Sequence, residues 1–225
     1  MANVGSIGIT RHIDDPDVST VNATAGAGVT WALSSDTGNT AFAKAVAAGK
    51  GLHYAGATDA TDNDMVEFCS NGLTFAGQEG HAEVEILMQF DDVANVAFNF
   101  GFNDDVLDAS NSLPAELATT TWTTNAATFI GFVYDVNATN DELHAMWVDD
   151  DADTSTAIGD LRFKGVAPTA AKWLYMKVEI DDRGSGNGVR ATLLAVDHNG
   201  RSVEKPFNTT VDRDCPLCYY FGFEN

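Results

Sequence analysis

The stretch His81-Ala-Glu83-Val-Glu85 sets two glutamates two positions apart beside a histidine, residue types able to do acid–base chemistry. In an extended strand, Glu83 and Glu85 share one face, with backbones about 6.7 Å apart at roughly 3.3–3.4 Å per residue. Paired carboxylates that cleave glycosidic bonds sit ~5–5.5 Å or ~6.5–9.5 Å apart, so the separation alone admits catalysis. The alternative is that both acids form the wet side of a strand.

A third acid decides between them. The jelly-roll glucanases carry E-x-D-x-x-E or E-x-D-x-E on one strand. Glu83 matches the first acid and Glu85 replaces the aspartate, but positions 87 and 88 hold Leu87 and Met88. Nucleophile and acid/base need environments that separate their pKa values, and two acids of three do not supply them. The expectation is therefore solvated carboxylates and no catalytic residues. The five histidines (His12, His53, His81, His144, His198) form no H-x-H or H-x-x-x-H pair. There is also no G-x-S-x-G elbow and no glycine-rich phosphate loop.

Two acidic loops have the spacing of oxygen ligands for calcium. Asp149, Asp151 and Asp153 alternate in "VDDDADTST", and Asp135, Asn137, Thr139 and Asp141 in "DVNATNDE". Neither has the Gly at position six and Glu at position twelve of an EF-hand loop. Asp149, Asp151 and Asp153 are the candidate calcium ligands, against a default of a solvated acidic turn; no other cofactor is expected. Cys215 and Cys218 form a lone C-x-x-C with no second ligand pair, which reads as structural. The N-x-[ST] matches at Asn22, Asn137 and Asn208 read as chance in a chain rich in Asn and Thr.

The elements that must position these residues follow from composition and period. The chain has 225 residues, 33 acids against 12 Lys plus Arg, and a net charge of -21. Such a surface repels phosphates and anionic lipid, so direct binding to nucleic acid or membrane is not expected. No run reaches the ~18 apolar residues of a membrane span, and the start lacks the pattern of a secretion signal. Residues 1–28 are small, polar and Gly/Ala-rich and read as an extended N-terminal arm; residues 29–225 read as one domain. "NTAFAKAVAAGKG" suggests one or two helical turns.

From residue 51 the period becomes two. Ala82, Val84, Ile86, Met88 and Phe90 oppose His81, Glu83, Glu85 and Gln89; Val96, Phe98, Phe100 and Phe102 share a face. Leu174, Met176, Val178 and Ile180 alternate with Trp173, Tyr175, Lys177 and Glu179. Roughly ten strands with hairpin-length links predict an all-β antiparallel sandwich. Trp31, Trp147 and Trp173 fall in or near apolar stripes and read as core. Trp122, in "TTTWTTN", is either a buried loop anchor or an exposed ligand platform.

The pieces "GLTF", "GHAEVEILMQFDDVANVAFNFGFNDD", "FIGFVYDVNATNDELHAMWVDDDADT", "AAKWLYMKVEIDD" and "FGFEN" resemble a group of structural proteins of tailed, often marine, bacteriophages. The resemblance implies a concanavalin-like jelly roll and a non-enzymatic virion component. It further implies a decoration or cement protein on the capsid surface, a homotrimer that binds the major capsid protein and stabilises its lattice. The arm, residues 1–28, would then add backbone to a neighbour's sheet edge. The competing expectation is a lectin-like carbohydrate-binding module for particle or host adhesion, with or without calcium. An exposed Trp122 with a cation at 149–153 favours the lectin. A buried one, with an arm reaching another chain, favours the cement protein.

Overall fold

A computed structural model describes residues 9–10, 21–22, 31–36, 38–59, 64–73, 75–106, 112–153 and 161–225. Strands are numbered along the chain. One sheet has five strands in the order β1 (Ile9–Thr10), β7 (His81–Met88), β15 (Leu174–Asp182), β16 (Val189–Val196), β17 (Ser202–Asn208). The other runs β13 (Ala152–Asp153), β12 (Leu143–Asp149), β11 (Phe129–Asp135), β8 (Ala97–Asn103), β18 (Cys218–Glu224), β6 (Met65–Ser70), β3 (Trp31–Ser35), β2 (Val21–Asn22), with β14 (Arg162–Phe163) also on β12. Pairing is antiparallel except for β1 on β7 and β2 on β3. This is the expected all-β antiparallel sandwich.

The period of two builds the core between the sheets. Along β15, Leu174, Met176, Val178 and Ile180 are buried and the residues between them are partly exposed. They pack with Ala191, Leu193 and Ala195 of β16 against Phe98, Phe100, Phe102, Ile130, Phe132, Phe221 and Phe223 of the large sheet. Burying each Leu, Met, Val, Ile or Phe among them contributes about 1.5–3 kcal/mol.

β8, β11 and β18 are buried along their whole length, because the other face of the large sheet is covered as well. A hairpin of β9 (Ala115–Ala118) and β10 (Thr121–Thr124) lies there, and Trp122 packs onto Ala115, Phe129, Val133, Met146 and Val148. Asn99 anchors it: its Nδ2 donates to the Ala115 carbonyl at 2.8 Å, and its Oδ1 accepts from the Ala115 amide at 2.8 Å. Close approach is possible because Gly101 and Gly131 face each other; a Cβ on Gly101 would lie 2.2 Å from the Ile130 carbonyl oxygen.

One expectation changes. The Ala-rich segment is not helical: β4 (Thr40–Ala47) and β5 (Gly51–Ala57) form an antiparallel hairpin. Helix propensity is a weak prior, and here it loses to Phe42, whose ring sits 5.3 Å from Phe68, 5.7 Å from Phe221 and 5.6 Å from Phe223. Of the arm, only Ile9–Thr10 and Val21–Asn22 are described, and they pair with this chain's own edge strands β7 and β3; the rest of residues 1–28 lies outside the described residues. No described helix is long and apolar enough to cross a membrane.

Candidate functional site

Among the described residues, β1 pairs with β7 at His81 and Ala82, and β2 with β3 at Trp31 and Ala32. Beside these edges, β7 and the β4–β5 hairpin line one opening into the sandwich. The result is a cleft of about 750 Å³, within the ~300–1,000 Å³ typical of small-molecule sites. Its floor is aromatic: Trp31, Phe68, Phe221 and Phe223, with Phe42 and Tyr54 from the hairpin and Trp173 from the segment before β15. Trp31 stacks on Phe68 at 4.6 Å and 19°, and Tyr54 lies 5.0 Å from the same ring. These contacts fix ring orientations before any ligand arrives.

The rim is polar, with Glu85, Gln89, Asp91, Asp92, Asn95, Asp59 and His53. Glu85 is held by the Tyr175 hydroxyl, which donates to its Oε2 at 2.7 Å. Burial and then the Glu85 carboxylate raise the Tyr175 pKa, so the phenol stays a donor through the physiological range. His53 Nδ1 lies 2.9 Å from the Gly51 carbonyl, which leaves Nε2 for another partner. Lys50 Nζ reaches Asp91 Oδ1 at 3.1 Å and latches the hairpin to the loop after β7. With Asp91 largely exposed, this pair contributes at most about 1 kcal/mol.

The residues singled out in the sequence divide as follows. Glu83 and Glu85 share the solvent face of β7, as the alternation requires, with Glu83 opposite Glu179 and Glu85 opposite Lys177. Only Glu85 lines the cleft. Trp122 is a half-buried anchor of its hairpin, 6.0 Å from the His144 ring and perpendicular to it. Trp31 is core, as expected, yet it also lines the cleft. Trp173 departs from the expectation: it is half-buried at the cleft wall rather than in the core cluster. Trp147 stacks on Phe207 at 5.2 Å across the opposite edge of the sandwich.

In "VDDDAD", Asp149 pairs with Ala152, and Asp150 and Asp151 have φ of 53° and 62°. They are the two central residues of a tight hairpin turn, whose positive φ angles Asp tolerates better than most residues. Among the described residues Asp149 and Asp151 join no convergent trio of metal-ligating groups; the Asp153 side chain lies outside them. Asp135 serves the backbone, accepting from the Asn137 amide at 2.8 Å and the Leu117 amide at 3.1 Å. Cys218 is buried with its Sγ 3.1 Å from the Asp105 carbonyl, Cys215 is half-buried, and neither is in a disulfide.

No protein-family model matches the chain, and no curated protein matches it. Among solved structures it is similar to a protein of unknown function from Shewanella oneidensis MR-1, at 10% identity and TM-score 0.54, over 90% of this chain and 72% of that one. Peanut lectin follows at 9% identity and TM-score 0.48, over 90% and 86%, and a Lotus tetragonolobus seed lectin at 10% and 0.41, over 87% and 85%. At these identities the likeness concerns the fold alone. None of these proteins is described as a phage or capsid component.

Proposed function

We propose that the cleft beside β7 binds an uncharged saccharide and that the protein is a carbohydrate-binding module, not an enzyme. The observation that carries this reading is the pairing of an aromatic floor with a rim of carboxylates and amides in one 750 Å³ opening. A sugar ring has C–H faces that pack on aromatic rings and hydroxyls that hydrogen-bond to carboxylates and amides, so it fits both halves at once. A net charge of -21 disfavours acidic glycans and nucleotides. Binding is favoured over hydrolysis because only one of the strand glutamates reaches the cleft, and Leu87 and Met88 stand where a third acid belongs.

The test is calorimetric titration of the full chain with neutral oligosaccharides chosen from a glycan array, repeated with Trp173→Ala and Glu85→Gln. Saturable binding that each substitution weakens at least tenfold, with the fold intact, is expected. Absence of binding to every neutral glycan, or binding indifferent to both substitutions, overturns the reading.

A second reading, assembly into a virion surface, draws on the exposed tip of the β4–β5 hairpin. Val46 and Leu52 are cross-strand partners there and are 79% and 40% exposed. Light scattering on the full chain tests it: a trimer dissociated by Val46→Asp supports a protein contact at the tip, and a monomer at all concentrations counts against it.

A further inference from the structure

The solvent face of the five-stranded sheet carries a second constellation, away from the cleft's aromatic floor. In the register of β7 and β15, Glu83 lies opposite Glu179 and His81 opposite Asp181. One ligand atom from each of His81, Glu83 and Glu179 lies within 4.8 Å of the other two, the one such trio among the described residues. We propose that His81, Glu83 and Glu179 bind a divalent transition metal of the zinc type, with water in the fourth position.

Three features carry this. First, His81 is already oriented. Its Nδ1 is 2.8 Å from Asp181 Oδ1, which turns Nε2 toward Glu83 Oε2 at 3.8 Å. That gap is too long for a hydrogen bond. Two ligands of a tetrahedral zinc, each at about 2.0–2.1 Å from it, stand about 3.4 Å apart, so His81 and Glu83 need to close by a few tenths of an ångström, while the Glu179 carboxylate lies within 4.8 Å of both and moves in by side-chain rotation. A carboxylate on the far nitrogen of a ligating histidine fixes its tautomer and strengthens it as a ligand, and Asp181 occupies that place.

Second, the ligands stand on adjacent paired strands, so their backbones are held rigidly, and their side chains are only 20–29% exposed. Third, the donor set selects the ion. One imidazole nitrogen and two carboxylates suit zinc and its neighbours, whereas calcium takes six to eight oxygens. Lys177 donates to Glu179 Oε1, which leaves the other oxygen of that carboxylate for the metal. The acids Glu83, Glu85, Glu179 and Asp181 outnumber Lys177, so the locality stays negative.

The test uses the full chain stripped of metal, titrated with Zn²⁺ by calorimetry and with Co²⁺ followed by its visible absorption. One equivalent of Zn²⁺ and the intense visible bands of low-coordinate Co²⁺ are expected. His81→Ala and Glu179→Gln should abolish both signals, and Asp181→Asn should weaken binding ten- to a hundredfold, with circular dichroism unchanged. Asp149→Asn, in the acidic turn, should change nothing. Weak binding of several equivalents with only octahedral Co²⁺ absorption, or binding that survives His81→Ala, would show the general attraction of an acidic surface and overturn the proposal. Saccharide titrations with and without Zn²⁺ keep this result separate from the fate of the cleft.

Discussion

The phenol of Tyr220 lies across Gly222: a Cβ built on Gly222 would stand 2.3 Å from the Tyr220 hydroxyl oxygen and 2.9 Å from Cζ. Both residues sit on the outer face of β18, and the hydroxyl continues to Met65 Sδ at 3.9 Å. The glycine is thus the space that the ring fills. Gly222→Ala is expected to destabilise the protein by about 1–3 kcal/mol, the usual cost of overpacking. Chemical denaturation of a double-mutant cycle with Tyr220→Leu checks it: the two changes should cost clearly less together than the sum of their separate costs.

Gly101→Ala is the harsher case. The atoms that its Cβ would meet are the backbone of Ile130 and Gly131, at 2.2 Å and 2.7 Å, and backbone in a paired strand cannot swing aside. Loss of more than about 3 kcal/mol, or failure to fold, is expected. An unchanged melting curve for the Gly101→Ala variant would show that β8 and β11 are not this close.

His144 makes stability depend on pH. It is 1% exposed, and burial first, then the Arg162 charge, lower its pKa to about 4. In the unfolded chain it titrates near ~6.5. Between these values the unfolded state binds the extra proton, so this contribution is complete above pH 6.5 and is lost as pH falls towards 4. The slope is at most about 1.4 kcal/mol per pH unit. Urea midpoints at intervals from pH 7 to 4 check it: wild type should lose stability relative to His144→Gln as pH falls from 6.5 towards 4, with their difference constant above that range.

Trp122 separates anchor from platform. Trp122→Ala should cost about 3–5 kcal/mol, as aromatic truncations against a core do, and Trp122→Phe about half of that. Saccharide affinity of the folded Phe variant should match the wild type. A tenfold loss there would return the ligand surface to the β9–β10 hairpin.

Phe42→Ala should free the β4–β5 hairpin without melting the sandwich, because Phe42 bridges the hairpin to Phe68, Phe221 and Phe223. Hydrogen exchange of amides in 40–57 should accelerate at least tenfold while those of β15 and β16 stay protected. Uniform acceleration would mean that the hairpin is integral to the core.

The sandwich was legible because β7, β15 and β16 each have one wet face, and their alternation survives in the sequence. β8, β11 and β18 were readable for another reason: runs such as Phe100-Gly101-Phe102 and Phe221-Gly222-Phe223 show the core side even though both faces are buried. The second layer over the large sheet was not legible, since Asn99 and Asp135 look like any polar strand residues until the hairpin they hold is seen. The cleft was out of reach because Trp31, Tyr54, Glu85, Trp173 and Phe223 come from five separate elements. The zinc-type trio was half visible: His81 and Glu83 are two residues apart, while Glu179 arrives only through strand pairing.

The position of β18 bears on how the protein is made. Residues 218–224 are the last strand in this sequence, yet they lie in the middle of the large sheet, between β8 and β6. Two half-sheets must therefore wait for their keystone. At roughly 5–20 residues per second, translation from Asn103 to Cys218 takes on the order of ten seconds, during which β6 and β8 each expose an edge where β18 belongs. The nascent chain then depends on whatever shields those edges until β18 arrives, since unpaired strand edges are where partly folded chains aggregate.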